Sequence, residues 1–179
     1  MTIGGLCGAI FVDEAFKEVL KKKFDKRWEK MEESSRRDLV FKEWEMHIKR
    51  KFSQNSKKGY ELRIPFECLL AKEKRAAGSS VPKIEITPED VKEAFDPVID
   101  AIIHLIGGQV KSVKEKEGVN PKVKQNHTDF IPVEFIADPK MIQYIIMVGG
   151  FGRCKYLFDR VDQKFSSEIE VLQSKETKP

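Results

Sequence analysis

Two stretches of the chain carry residue types that could meet a ligand. The first is Ile145-Ile146-Met147-Val148-Gly149-Gly150-Phe151-Gly152-Arg153, an apolar run that ends in a glycine turn and leads into a helical pattern. Glycine lets a flat ring approach the backbone with no β-carbon in the way. The first turn of a following helix offers backbone N–H groups without intrahelical acceptors, and the planar guanidinium of Arg153 can lie on a purine. The same pattern also describes a plain strand–glycine–helix junction, so the turn alone does not name a ligand. The second stretch is Lys49-Arg50-Lys51-Phe52-Ser53. At ~100° per residue, Arg50 turns away from an apolar stripe that contains Ile48, while Lys49 and Ser53, four apart, share a flank. One side of such a helix can pack while the other meets a ligand; a solvated basic face is the simpler alternative.

The elements that must hold these residues follow from periodicity. Phe16, Val19, Leu20 and Phe24 recur at three- and four-residue steps and predict a helix from Asp13 to about Phe24, behind a glycine-rich loop over residues 3–11. Val40, Trp44, Ile48 and Phe52 stand at four-residue steps, which predicts a helix from Ser34 or Ser35 to Phe52. Tyr60, Leu62 and Ile64 alternate with Glu61 and Arg63, the pattern of a strand over 60–66, and a short strand is expected over 83–86. Residues 71–80 read as a loop. Thr87-Pro88-Glu89-Asp90 starts a helix, with Thr87 as N-cap and Pro88 in the first helical position. Asp96-Pro97 repeats the device, so one helix is expected to end near Phe95 and another to begin at Pro97. Val98, Ile102, Leu105 and Ile106 form the core face of that second helix, which Gly107-Gly108 weakens or ends. Residues 114–138 hold two prolines and no sustained period, and read as a disordered or inserted loop. The run Met141–Val148 predicts a strand buried on both faces, followed by a helix from near Gly152 that carries Tyr156, Leu157 and Val161. The tail after Ser166 is polar and expected to fray. The organisation is then a helical/strand subdomain over 1–113, the loop over 114–138, a strand and helix over 139–167 and a tail over 168–179.

A chain of 179 residues, 40% hydrophobic and 35% charged, supports one domain with a core of its own. The net charge of +4 makes no case for nucleic acid. Between Lys17 and Arg75 there are 19 basic against 11 acidic residues, an excess that suits a polyphosphate ligand or a solvated helical face. Cys7, Cys68 and Cys154 are odd in number and irregular in spacing, which argues against zinc and a disulfide framework and for reduced thiols in the cytoplasm. No run approaches the ~18 apolar residues of a membrane span, and Met1–Phe11 lacks the basic leader of a signal peptide. His47, His104 and His127 have no ligand-like spacing with the cysteines, so no metal site is expected. Glu43 and Glu45, two apart, cannot face each other on a helix as an acid–base pair, and no catalytic residue is assigned.

With these motifs in place, the chain resembles the heat-shock protein 70 family, in particular its divergent fungal and animal members, over nearly its whole length apart from residues 114–138. Val148-Gly149-Gly150-Phe151-Gly152-Arg153 resembles that family's adenosine loop, with Phe151 where typical chaperone members have serine. Leu6-Cys7-Gly8-Ala9-Ile10-Phe11 resembles the glycine loop just after the second phosphate motif; Gly8 matches a glycine that lies against the nucleotide, and Cys7 replaces a neighbouring glycine. Lys49-Arg50-Lys51-Phe52-Ser53 resembles the helical segment that packs on adenosine. The acidic residue usual three positions before that lysine is Met46 here. Ile86-Thr87 through Asp96-Pro97 matches the strand and paired helices ahead of the adenosine loop.

The resemblance implies an α/β chain, a partial actin-like ATPase (ribonuclease H-like) fold made mainly of the second lobe. It implies ATP in a cleft between lobes, with hydrolysis coupled to lobe motion. It assigns adenosine packing to Gly149, Gly150, Phe151 and Arg153, with Lys49, Arg50 and Ser53 opposite and Gly8 toward the ribose or phosphates. Phosphoryl transfer requires magnesium-binding carboxylates and backbone donors around the phosphates. The family supplies these from Asp-x-Gly and Asp-x-Gly-Gly-Gly-Thr loops, and neither occurs in this sequence. The chain is therefore expected to start just past the second loop, to bind ATP weakly, to take up Mg²⁺ only with the missing lobe and to show no appreciable hydrolysis. Chaperone-related client or regulatory proteins are the implied partners, with neither nucleic acid nor membrane. The alternative is a non-catalytic protein-interaction module that has lost nucleotide binding.

Overall fold

The computed structural model describes residues 8–76, 81–117 and 144–173. The architecture is mixed α/β, mostly helical, with two small sheets. Helix α1 (Ala9–Phe24) begins earlier than its periodicity suggested, so Ala9–Phe11 belong to a helix rather than to the glycine loop. It buries Val12, Phe16, Val19, Leu20 and Phe24 on one side, and Lys21, Lys22 and Lys23 in the last turn complement the negative end of the helix. Asp25 ends it in a left-handed conformation (φ 49°) and leads into the short α2 (Lys26–Glu29).

The next helical run has three parts: α3 (Glu33–Asp38), a π-helix (Leu39–Ile48) and α4 (Lys49–Lys51). The π winding, in which the Lys49 N–H donates to the Trp44 carbonyl, explains the four-residue stride of the sequence. An i→i+5 helix turns each residue by less than the ~100° of an α-helix, so steps of four stay on one side. Trp44, Ile48 and Phe52 are buried and Val40 is half-buried.

Strands β1 (Tyr60–Arg63) and β2 (Lys83–Ile86) pair antiparallel, with Leu62 opposite Ile84. Between them lie a 3₁₀ turn (Phe66–Cys68) and α5 (Ala71–Ala76), which falls in the stretch read as a loop. Arg27 holds α5 through two bonds to the Glu73 carboxylate at 3.0 and 3.1 Å, and the same carboxylate accepts from the Leu70 N–H at 2.7 Å.

The expected break at Asp96-Pro97 does not occur: α6 (Pro88–Glu117) is one helix with Pro97 inside it. It starts as the sequence indicated. The Asp90 N–H donates to Thr87 Oγ1 at 3.2 Å, and the Thr87 N–H donates to Asp90 Oδ2 at 2.7 Å. A proline costs a helix one hydrogen bond and crowds the preceding turn. Here packing outweighs that cost, because Val91, Ala94, Phe95 and Ile99 are fully buried on both sides of Pro97. Gly107 and Gly108 do not end the helix either. It carries Lys114 to Glu117, so the irregular stretch expected from residue 114 has a helical beginning, and its remainder lies outside the described residues.

Strand β3 (Tyr144–Met147) pairs parallel with β4 (Glu170–Gln173), Ile145 beside Val171 and Ile146 beside Leu172. Two expectations change. The apolar run is not buried on both faces, since Tyr144, Ile146 and Val148 point outward, Ile146 at 65% and Val148 at 69% exposure. The segment expected to fray after Ser166 supplies β4, anchored by buried Ile169 and Val171. Between the strands, α7 (Gly149–Gly152) is a single turn and α8 (Lys155–Phe165) buries Tyr156, Leu157 and Val161.

An aromatic core joins these elements. Phe16 stacks on Trp44 at 3.9 Å between ring centres; Phe95 meets Trp44, Phe52 and Tyr156 at 5.3–5.9 Å and Phe151 at 6.5 Å. Among the described residues no helix is long and apolar enough to cross a membrane.

Candidate functional site

Ala9, Glu45, Lys49, Arg50, Gly150, Phe151, Arg153 and Cys154 line one cavity of 310 Å³. That is the lower end of the volume range of small-molecule sites. The three segments that line it start from α1, the end of the π-helix and the turn after β3. Several contacts fix their mutual position. The Cys154 thiol lies 4.0 Å from the Lys49 carbonyl oxygen. The Gln54 N–H donates to Asp159 Oδ2 at 3.2 Å, and its side chain donates to Gln163 at 3.0 Å. From β4, Gln173 Nε2 donates to the carbonyls of Gly152 and Cys154 at 2.8 and 3.4 Å.

The glycines of the turn have different tasks. Gly149 sits at φ +81°, where a side chain is strained. A β-carbon on Gly152 would stand 3.1 Å from the Met147 carbonyl carbon, so this glycine allows the turn to fold back on the strand. Gly150, like Gly8, has nothing within 4 Å of where a β-carbon would be. Gly150 faces the cavity, and Gly8 caps α1 immediately before the cavity-lining Ala9. With only four residues, α7 is too short to act as a helix N-terminus toward an anion.

Lys49 is the one charged side chain that is buried among the described residues, at 6% exposure. A buried ammonium requires partners. It has two: Asp13 Oδ1 at 2.7 Å and Glu45 Oε2 at 2.6 Å. The same Asp13 oxygen accepts the Trp44 indole N–H at 2.7 Å. Arg50 and Arg153 have no carboxylate within ion-pair distance among the described residues. Burial pushes the Cys154 thiol above its ordinary value, which favours the protonated form near neutral pH in the cavity wall.

The structure brings together Lys49, Arg50, Gly150, Phe151 and Arg153 as the sequence suggested, with Gly8 and Gly149 one residue from the wall. It does not bring Ser53 to the cavity; the Ser53 hydroxyl lies 3.3 Å from that of Ser56, which also accepts the Ser53 N–H. Phe151 is shared, since its ring also stacks toward Phe95 in the core. Glu45 was missed. Met46, where the resemblance led to the expectation of an acidic residue, is 41% exposed and absent from the cavity wall, whereas Glu45 lines it. The π winding accounts for the exchange, because it brings the residue four before Lys49 almost beneath it and turns the residue three before aside. Asp13 was missed too, being 36 residues from Lys49 with no local signal.

A larger cavity of 710 Å³ lies between α1 and the α3–π run and includes Trp28, Arg36, Val40 and Phe41. It touches neither glycine turn. No group of His, Cys, Asp and Glu that could hold a metal ion exists among the described residues. Comparison with protein-family models, with curated proteins and with solved structures finds no significant match. The chain is a mixed α/β protein, mostly helical with two small sheets, and has a cavity of 310 Å³ at a strand–glycine–helix junction.

Proposed function

We propose that this chain is the adenosine side of a nucleotide cleft, in a partial actin-like fold of the heat-shock protein 70 type. The observation that carries the reading is that Arg50 and Arg153, both without an ion-pair partner among the described residues, line the same cavity as Gly150, although they belong to segments about a hundred residues apart. Planar cations are suited to stacking on a purine, and glycine admits the ring edge. Glu45 offers a carboxylate acceptor for ribose hydroxyls, a role for which the sequence pattern had left no residue.

The reading assigns binding, not turnover, to this chain. ATP or ADP is the ligand, and Mg²⁺ belongs with the phosphate-side loops of a complete two-lobed cleft. With half of a cleft the affinity is expected on the order of 1 mM, about −4 kcal/mol. The reading carries a cytoplasmic location with it, an expectation that rests on the odd number and irregular spacing of the cysteines. Calorimetric titration of the full chain with ATP tests this. Saturable heat that weakens about 10-fold in Arg153→Ala, the loss of one cation–ring contact, supports the reading; no heat up to several millimolar ATP sinks it.

One observation favours a second reading, a protein-interaction module. Tyr144, Ile146, Val148 and Leu172 leave the outer face of the β3/β4 sheet apolar and uncovered among the described residues. A chain that binds no nucleotide but associates through this face would match it.

A further inference from the structure

Asp13, Lys49 and Glu45 form a cluster at the wall between two cavities. Glu45 lines both, Asp13 lines the larger and Lys49 the smaller. A lysine in a nucleotide cleft ordinarily serves phosphate as a point charge. Here the ammonium is held at 2.6–2.7 Å by two carboxylates, one from α1 and one from its own helix. The three side chains together carry one negative charge, so their combined field does not attract phosphate. The cations without carboxylate partners among the described residues, Arg50 and Arg153, are planar and can either stack on a ring or pair with phosphate, so Lys49 is the cation whose charge the cluster removes.

We infer that Asp13 is a specificity-determining residue of this cleft, acting through Lys49: by neutralising the ammonium it lowers the cavity's preference for the phosphates of an adenine nucleotide relative to its uncharged base-and-ribose end. The inference rests on the nucleotide reading above. It assigns Asp13 a positioning role, since its carboxylate holds both Lys49 and the Trp44 indole without lining the smaller cavity itself. Asp13→Asn is close to isosteric. Its amide oxygen can still accept from Trp44 and Lys49, while one negative charge is removed and the ammonium is left with Glu45 as its one carboxylate partner among the described residues.

The test is a titration of the full chain with adenosine and with ATP, without divalent cations, at two salt concentrations. The wild-type ratio of ATP to adenosine affinity, set by Arg50 and Arg153 together with the neutralised Lys49, is the reference. Asp13→Asn should raise ATP binding relative to adenosine by about 10-fold, an effect that shrinks as salt is added. The double variant Asp13→Asn/Lys49→Gln restores the charge balance and should return the ratio to its wild-type value, which loss of packing would not do. If Asp13→Asn fails to fold, as judged by near-ultraviolet circular dichroism, Lys49→Gln decides the matter by lowering ATP binding relative to adenosine about 10-fold. An unchanged ratio in these single variants overturns the inference while leaving nucleotide binding intact. Failure of the wild-type chain to bind either ligand overturns the nucleotide reading, and the inference with it.

Discussion

The Cys154 thiol lies 4.0 Å from the carbonyl oxygen of Lys49, joining two stretches 105 residues apart in the sequence. That contact closes one wall of the cavity, and it makes the thiol a reporter of whether the cation helix and the glycine turn stay together. Burial raises the Cys154 thiol above its ordinary value, so little thiolate exists at pH 8. Cys68 is also buried and shifted upward, chiefly by loss of solvation. Both thiols are therefore expected to resist alkylation by iodoacetamide at pH 8 in the native chain and to react at once in denaturant, as read by mass spectrometry of labelled peptides. Rapid native labelling of Cys154 would mean that the wall opens.

The glycines separate stability from binding. Gly149→Ala forces a side chain to φ +81° and should destabilise the protein by ~1–2 kcal/mol. Gly152→Ala places a β-carbon 3.1 Å from the Met147 backbone and should also lower the melting temperature. Gly150→Ala meets nothing within 4 Å, so its stability should stay within ~0.5 kcal/mol of wild type while ligand binding weakens, because the new methyl group enters the cavity. Thermal melts alongside titrations read both quantities. A Gly150→Ala variant that binds normally would remove this glycine from the site.

Tyr156 links the core to α6 and gives a pH signature. It is 2% exposed, and its hydroxyl donates to Asp96 Oδ1 at 2.7 Å. Burial, reinforced by the bond to Asp96, pushes its pKa up from 10.0 to about 12. The unfolded tyrosine loses its proton first, so the contribution is fully present below pH 10 and is lost as pH rises from 10 toward 12. Urea unfolding measured across that window should show stability falling by up to ~2 kcal/mol. Tyr156→Phe should be less stable at pH 8, since it leaves Asp96 with Arg160 alone, but should lack this part of the alkaline decline.

Much of the fold was legible where short-range chemistry decides it. The Thr87–Asp90 cap is a local reciprocal pair, and the stride from Val40 to Phe52 announced a helix, although its π winding could be seen only from the backbone. Legibility failed where distant packing decided. Pro97 stays inside a helix because Phe95 and Ile99 are buried against other elements, which no local rule contains. Strand β4 went unseen because its inward residues, Val171 above all, are too few to make a pattern in a polar tail. The site divides the same way. The cations and the glycine turn could be read from residue type, whereas Asp13 reaches Lys49 only through the fold, and Glu45 replaces position 46 only through the winding.

The proposed cleft requires Arg50 and Arg153 to converge on one purine. The most direct measurement is a nuclear magnetic resonance titration that follows the guanidinium Nε–H signals of both arginines as ATP is added, with Arg63 on β1 as a remote reference. With one purine between them, Arg50 and Arg153 should shift together with a single half-saturation concentration while Arg63 stays put. Shifts at neither residue, at only one of them, or equally at Arg63 would contradict it.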